Sequence, residues 1–382
     1  MMTYEKRLDE LWRNAMRPRR RNAFTAVSLF AGGGGSLLGT AAAGFRELLA
    51  VEKDALAVQV LNDNFPEVEI HHGDIRGLSV KDALRLSGLK RGELDYLDMS
   101  PPCNGFSLAG DRAVENPLNN LWREGARLLD GTRPRCFSCE NVTGLIAGKM
   151  RPTFEEMLAG FRRTGYKNTK WQILDASLYG VPQKRRRVIV RGTRDDLARR
   201  GIVPTFPVAD HHLTTVRQAF AGLPAWLPRV APRAGLATIA HLIPPGGDGA
   251  EVPGHDSHWN SYRLHWDEPS NTMCASAGQP SCCLLLHPDL NLGVSVREAM
   301  RLQGFPDGFR LAGTYAQRIH QLGNSVPPIL AYAIGFYGRR DRHSLEIRRG
   351  SVTRVVCRRS CRAIRARRQW ACTRDSERPY NG

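Results

Sequence analysis

A chain of 382 residues, with 42% hydrophobic and 24% charged residues, holds one large catalytic unit plus a smaller domain and is too apolar to be disordered along most of its length. No apolar run approaches the ~18 residues a membrane-spanning helix needs, and the charged stretch Met1 to Phe24 lacks a signal peptide's apolar core, so a soluble, cytoplasmic protein is expected. The formal charge is +18, but residues 339–382 carry 14 Arg against 4 acidic residues, leaving +8 on the rest; charge alone does not separate a nucleic-acid partner from a merely basic surface.

In chain order, residues 1–22 read as a basic N-terminal extension. The first buried strand spans Thr25 to Phe30 and ends in a glycine cluster. Further strands are predicted at Leu48 to Val51, Val68 to His71, Tyr96 to Met99 and Arg135 to Ser138, with helical stretches at Asp54 to Asn62 and Leu118 to Leu129. This alternation predicts a doubly wound α/β domain over 23–192, with chemistry at the carboxyl ends of its strands. From 193 to 288 the chain is rich in Pro, Gly and His and reads as a loop-rich insert or small domain. Order returns over 289–338, where Ser295 to Gln303 is a helix with Ser295 as N-cap and Glu298 at the capping-box position. The Arg-rich tail, 339–382, is expected to be disordered.

Four segments carry chemistry. Phe30-Ala31-Gly32-Gly33-Gly34-Gly35-Ser36 follows a strand and lets a ligand approach the backbone; a tight turn alone would look the same. It has neither the Lys-Ser/Thr of a phosphate-binding loop nor the third glycine of the dinucleotide fingerprint. Glu52, placed to bind ribose hydroxyls, and Asp74 at the next two strand ends favour a nucleoside-containing cofactor. Ser100-Pro101-Pro102-Cys103-Asn104-Gly105-Phe106-Ser107 presents a thiol on a loop stiffened by two prolines. A thiol so presented is a candidate nucleophile if neighbouring positive charge or a helix N-terminus gives it thiolate character. Glu140-Asn141-Val142 offers a carboxyl at the next strand end that burial would keep protonated, as a proton donor. In Gln183-Lys184-Arg185-Arg186-Arg187, alternation puts Arg185 and Arg187 on one face, although a solvated basic patch has the same pattern.

The order of these segments, continued by Arg297-Glu298, Arg301-Leu302-Gln303-Gly304-Phe305-Pro306 and Gln321-Leu322-Gly323-Asn324-Ser325-Val326-Pro327-Pro328, resembles the DNA cytosine-5 methyltransferase family from roughly Thr25 to Tyr337. The resemblance implies a Rossmann-like S-adenosylmethionine-dependent catalytic domain with a smaller, irregular target-recognition domain over 193–288. It also implies methylation of a flipped-out cytosine in a specific duplex DNA sequence. Cys103 would be the nucleophile, Glu140 the contact to N3 and the exocyclic amine, and Arg185 and Arg187 the pair orienting the base and the nucleophile loop. Phe30, Gly32, Gly34, Gly35, Glu52, Asp74, Ile75, Pro102, Leu121, Asn324, Ser325 and Val326 would hold the methyl donor. No metal is expected. A prokaryotic or phage-encoded, nucleoid-associated monomer with a cognate restriction endonuclease is the implied setting. Ser28 departs from the pattern, since the family often has an acidic residue there.

Two rivals remain open: a transfer-RNA cytosine methyltransferase of the same fold, and a DNA-binding protein that has lost catalysis. Cys136 and Cys139 form a C-x-x-C pair without a second pair at metal spacing, and His71-His72, His211-His212, His255 and His258 read as loop or surface residues.

Overall fold

The structure, a computed structural model, describes residues 2–102, 120–209, 213–254, 261–281 and 283–336. Cys103, the predicted tail, His211-His212, His255 and His258 lie outside the described residues.

The first apolar run forms β1 (Thr25–Leu29), buried at every position as a central parallel strand must be. It is followed by α2 (Gly35–Ala42), β2 (Arg46–Glu52), α3 (Ala55–Asn64) and β3 (Glu69–His72). The chain continues through α4 (Val80–Ser87), β4 (Tyr96–Met99), α5 (Trp122–Thr132), β5 (Cys136–Val142), α6 (Arg151–Arg163), β6 (Lys170–Asp175) and β7 (Arg186–Thr193). Among the described residues these seven strands make one sheet, in the order β3-β2-β1-β4-β5-β7-β6. The first five are parallel, while β7 runs antiparallel to both β5 and β6. The chain winds outward from β1 to β3 and then returns to β4 on the other side of β1. A ligand crevice is expected where that order reverses, beyond the carboxyl ends of β1 and β4.

Each face of the sheet buries its own core. Val27, Leu97, Met99, Phe137 and Cys139 point to the layer of α4, α5 and α6. Ala50 and Ile189 point to the layer of α2 and α3. That second layer also receives the late helices α10 (Val296–Gln303) and α11 (Tyr315–Asn324). The capping box expected at α10 is present: the Glu298 backbone N–H donates to Ser295 Oγ and the Ser295 N–H to Glu298 Oε2.

The N-terminal segment differs from the expected extension. Residues Tyr4–Met16 form α1, whose Tyr4, Leu8 and Leu11 are buried at helical spacing. Tyr4 Oη donates to the Arg301 carbonyl at 2.7 Å, Arg7 donates to the Tyr179 carbonyl at 2.7 Å, and Glu5 pairs with Arg301 at 3.3 Å. The helix is therefore part of the second core layer.

Residues 193–288 do carry little regular structure. They include α7 (Asp195–Ala198), α8 (Val216–Phe220), α9 (Ala234–Ile239) and a small sheet of β8 (Tyr262–Arg263), β9 (Gly278–Gln279) and β10 (Cys283–Leu286), ordered β8-β10-β9. Buried Arg263 braces the loops, donating to the carbonyls of Ala240, Ile243, His287 and Leu290. Val216, Ala219 and Phe220 join the same apolar cluster as α1 and α10.

Candidate active site

A cavity of about 290 Å³ opens at the carboxyl ends of β1, β2 and β4, where the strand order reverses. Of the residues expected to hold a donor, Phe30, Gly32, Glu52, Asp74, Ile75, Pro102, Leu121, Asn324, Ser325 and Val326 line it, as does Glu140. Gly34 and Gly35 do not. Gly34 takes φ 81° as the N-cap of α2, a left-handed conformation that suits glycine, and a Cβ on Gly35 would collide with the Val326 carbonyl oxygen. These two glycines shape the turn and let the late segment close against it.

At one end of the cavity, Glu52 is fixed by its own neighbourhood. Its Oε2 accepts from the Gly32 N–H at 2.8 Å, and its Oε1 from the Lys53 and Asp54 N–H groups at 2.8 and 2.9 Å. The glycine loop and the acidic residue twenty positions later thus hold each other. Asp74 accepts from the Arg76 backbone and guanidinium, and that guanidinium keeps its carboxyl well below the usual range.

At the other end stands Glu140, which lies inside β5 because that strand runs four residues past its expected end. Arg187 Nε lies 2.9 Å from Glu140 Oε1, and the two side chains are only 12% and 16% exposed. Burial raises the Glu140 carboxyl; Arg187 and Arg185 oppose that, and Asp98 adds to it. The upward direction wins, so this carboxyl holds a proton more readily than an exposed glutamate does. Asn141 Nδ2 donates to the Pro101 carbonyl at 3.3 Å, fastening the Pro-Pro turn to β5 just before Cys103.

Arg185 and Arg187, expected to act as a pair, are separated by the structure. Arg187 reaches Glu140, whereas Arg185, 2% exposed, donates to the carbonyls of Met273, Gly323 and Ser325 at 3.1, 2.7 and 3.1 Å. Gln183 extends this knot by donating to Gln303 Oε1 at 2.7 Å, and Gln303 in turn donates to the Ser325 carbonyl at 2.7 Å. The sequence run Gln183 to Arg187 therefore does two jobs. One arginine pairs with Glu140, and the other ties the Gly323–Ser325 cavity wall to the insert at Met273.

Sequence reasoning passed over Asp98, which lines the cavity together with Ser28 and Ser36. Asp98 is the single acid in the apolar run Tyr96–Met99, and that mismatch was the available signal. Cys139 faces the core while Cys136 Sγ donates to the Asp95 carbonyl at 3.3 Å, so the pair does not converge. Among the described residues no group of three or more His, Cys, Asp or Glu side chains could hold a metal ion, and no helix is long and apolar enough to cross a membrane.

Comparison with known proteins agrees with this geometry. The family model for C-5 cytosine-specific DNA methylases matches residues 24–224 and 254–336. Among similar proteins are the type II methyltransferases M.Sau96I of Staphylococcus aureus and M1.HphI of Haemophilus parahaemolyticus. The first is 31% identical, covering 87% of this chain and 79% of that one; the second is 32% identical, covering 82% and 86%. A solved structure of a protein encoded within an E. coli prophage superposes with a TM-score of 0.66 at 24% identity, covering 84% of this chain and 99% of its own. The S. pombe Dnmt2 methyltransferase superposes at 0.59 and 17%, covering 84% and 99%.

Proposed function

The chain belongs to the C-5 cytosine-specific DNA methylase family, and from that premise we propose how its residues divide the work of methylating carbon 5 of cytosine in DNA. The methyl donor of the family is S-adenosylmethionine, whose sulfonium supplies the transferable methyl group. Glu52 and Asp74 would hold its ribose and base, and the glycine loop would pass along its backbone. These residues fit the group: a cavity lined by Glu52 at one end and Asn324 to Val326 along a wall matches a nucleoside with an amino-acid arm.

The target cytosine must leave the duplex stack, because carbons 5 and 6 are inaccessible within it. The Cys103 thiolate adds to carbon 6, and protonated Glu140 donates to N3 as negative charge builds on the ring. Carbon 5 then takes the methyl group, its proton is lost, and β-elimination returns the thiolate. Arg187 holds Glu140 in place at 2.9 Å. Arg185 acts at one remove, by fixing the Gly323–Ser325 wall. Residues 193–288 read the surrounding base pairs in a specific duplex sequence. The enzyme would act as a monomer in the cytoplasm of a prokaryote or phage host beside a cognate restriction endonuclease, a setting for which the support is the bacterial source of its type II methyltransferase relatives.

The observation that carries this reading is Glu140, buried against Arg187 at the cavity edge beside the anchored Pro101 carbonyl. The test is covalent trapping. Duplex DNA containing 5-fluorocytosine, incubated with S-adenosylmethionine, should form a denaturation-resistant adduct with the parent chain and none with Cys103→Ala. An adduct formed equally by Cys103→Ala would overturn the mechanism. Labelled methyl transfer to transfer RNA but not to duplex DNA would overturn the substrate, and bisulfite sequencing of expressing cells would read out the recognised site.

A further inference from the structure

The buried carboxyl of Asp98 has no part in the mechanism above, yet it forms part of the cavity wall. It is 6% exposed and stands on β4 in register with Ser28 of β1 and Ser138 of β5, so all three share one face of the sheet. Its hydrogen-bond donors are hydroxyls: Ser36 Oγ to Oδ2, Ser138 Oγ to Oδ1 at 2.6 Å, and Tyr96 Oη to Oδ1 at 3.4 Å. Among the described residues Asp98 makes no ion pair, which is unusual for a carboxyl removed from water. The second acid beside it, Glu47, takes the Ser28 hydroxyl at 3.2 Å and leaves Oε1 without a partner. The sheet thus gathers two buried carboxyl groups here and answers them with hydroxyl groups.

We propose that Asp98, assisted by Ser36, is the seat of the methyl donor's α-ammonium group. The proposal rests on reading the cavity as the donor pocket. Ser28 on β1 and Asp98 on β4 lie between Glu52 on β2 and Glu140 on β5 and line the same cavity with Ser36, which makes them available to the ligand's amino-acid arm. That arm carries a cation, and Asp98 Oδ2 receives one hydroxyl, leaving a lone pair for an N–H donor. Ser36 Oγ, having given its proton to Asp98, has acceptor capacity for a second N–H. Ser28 brings no carboxylate to this row, so β4 supplies the charge that its neighbour β1 lacks. Burial holds the Asp98 carboxyl above its ordinary range, with Ser138, Ser36 and Tyr96 opposing; Glu47, Glu140, Tyr96, Arg187 and Arg191 are among the titratable groups on the same face.

The test compares two ligands by calorimetric titration of the full chain: S-adenosylhomocysteine, which has the ammonium, and 5′-methylthioadenosine, which lacks the whole amino-acid arm. Asp98→Asn should weaken S-adenosylhomocysteine by about tenfold or more and leave 5′-methylthioadenosine within about twofold, the loss expected of one charge-assisted hydrogen bond. Ser36→Ala should show the same selectivity with a smaller effect, and it serves if Asp98→Asn folds poorly. Equal weakening of both ligands would mean that Asp98 acts only through the fold, and no change in either would mean that it does not touch the ammonium. Either result overturns the assignment. If the parent chain binds neither ligand, the donor-pocket reading itself fails and the assignment with it, an outcome distinguishable from the other two.

Discussion

At the Glu52 end of the cavity, carboxylates rest on backbone N–H groups and on the Arg76 guanidinium; at the Asp98 end, they rest on hydroxyls. N–H groups on a glycine loop and a strand end point one way whether or not a ligand is present, so Glu52 is preorganised. The Asp98 end is buried and lacks an ion-pair partner among the described residues, so it is held in a state that a cation would relieve. Glu140 stands between these cases, buried like Asp98 yet compensated by Arg187. A single cavity therefore holds three carboxyl groups in three different environments.

The contrast can be broken at several points, in descending order of expected effect. Glu140→Ala should lower kcat by about 10²–10⁴, the range for losing a positioned proton donor, while S-adenosylhomocysteine binding measured by calorimetry stays unchanged. In the parent enzyme kcat should fall as pH rises through the elevated Glu140 range, because the donating form is the protonated one. Next, Arg185→Leu should lower unfolding free energy by about 3 kcal/mol in urea, since it strands buried carbonyls of Met273, Gly323 and Ser325. Arg187→Leu should instead act mainly on kcat. If the two behave alike, the division between them is wrong.

Glu52→Gln should weaken S-adenosylhomocysteine about tenfold with kcat preserved at saturating donor, a loss of roughly 1.4 kcal/mol. Glu47→Gln should change stability with a defined sign. Burial, reinforced by Asp98, raises the folded-state carboxyl well above its ordinary 4.5, so the folded state binds more protons than the unfolded one above that pH. Stability must fall as pH rises from there to the folded value, by up to about 1.4 kcal/mol per pH unit. The Gln variant should lose that slope and be more stable at neutral pH; an unchanged slope would show that Glu47 does not titrate in this window. Asp74→Asn, at an exposed pair, should change donor affinity by no more than about threefold.

Much of this site could be read from local sequence because its parts are local. The Gly32–Glu52 contact follows from a strand, a turn and the next strand, and Tyr96–Met99 was bounded correctly by the prolines that stop it. Nonlocal pairing was harder. Nothing near Arg186–Thr193 says that it inserts antiparallel between β5 and β6, and that insertion, by extending β5 to Val142, puts Arg187 beside Glu140. Helix α1 was hidden by its charges, although Tyr4, Leu8 and Leu11 repeat at helical spacing beneath them. Arg185 and Arg187 share a face by alternation, but their partners come from 88 and 138 residues away for Arg185 and from β5 for Arg187. Periodicity has no access to that difference.

The bond from Tyr4 to the Arg301 carbonyl spans 297 positions, which makes it a statement about time during synthesis. The ribosome delivers α1 first and α2, its main packing partner, soon after, but the tie from Tyr4 to Arg301 waits until near the end of the fold. The parallel strands can begin to pair as they emerge, whereas the wall built from Asn324, Ser325 and Val326 cannot close the cavity until that late stretch has left the exit tunnel. A nascent or truncated chain therefore carries an open crevice and an α1 that lacks its tie to Arg301. Such a chain is a better client for a chaperone than for DNA, and competence to methylate arrives only when translation has passed this last segment.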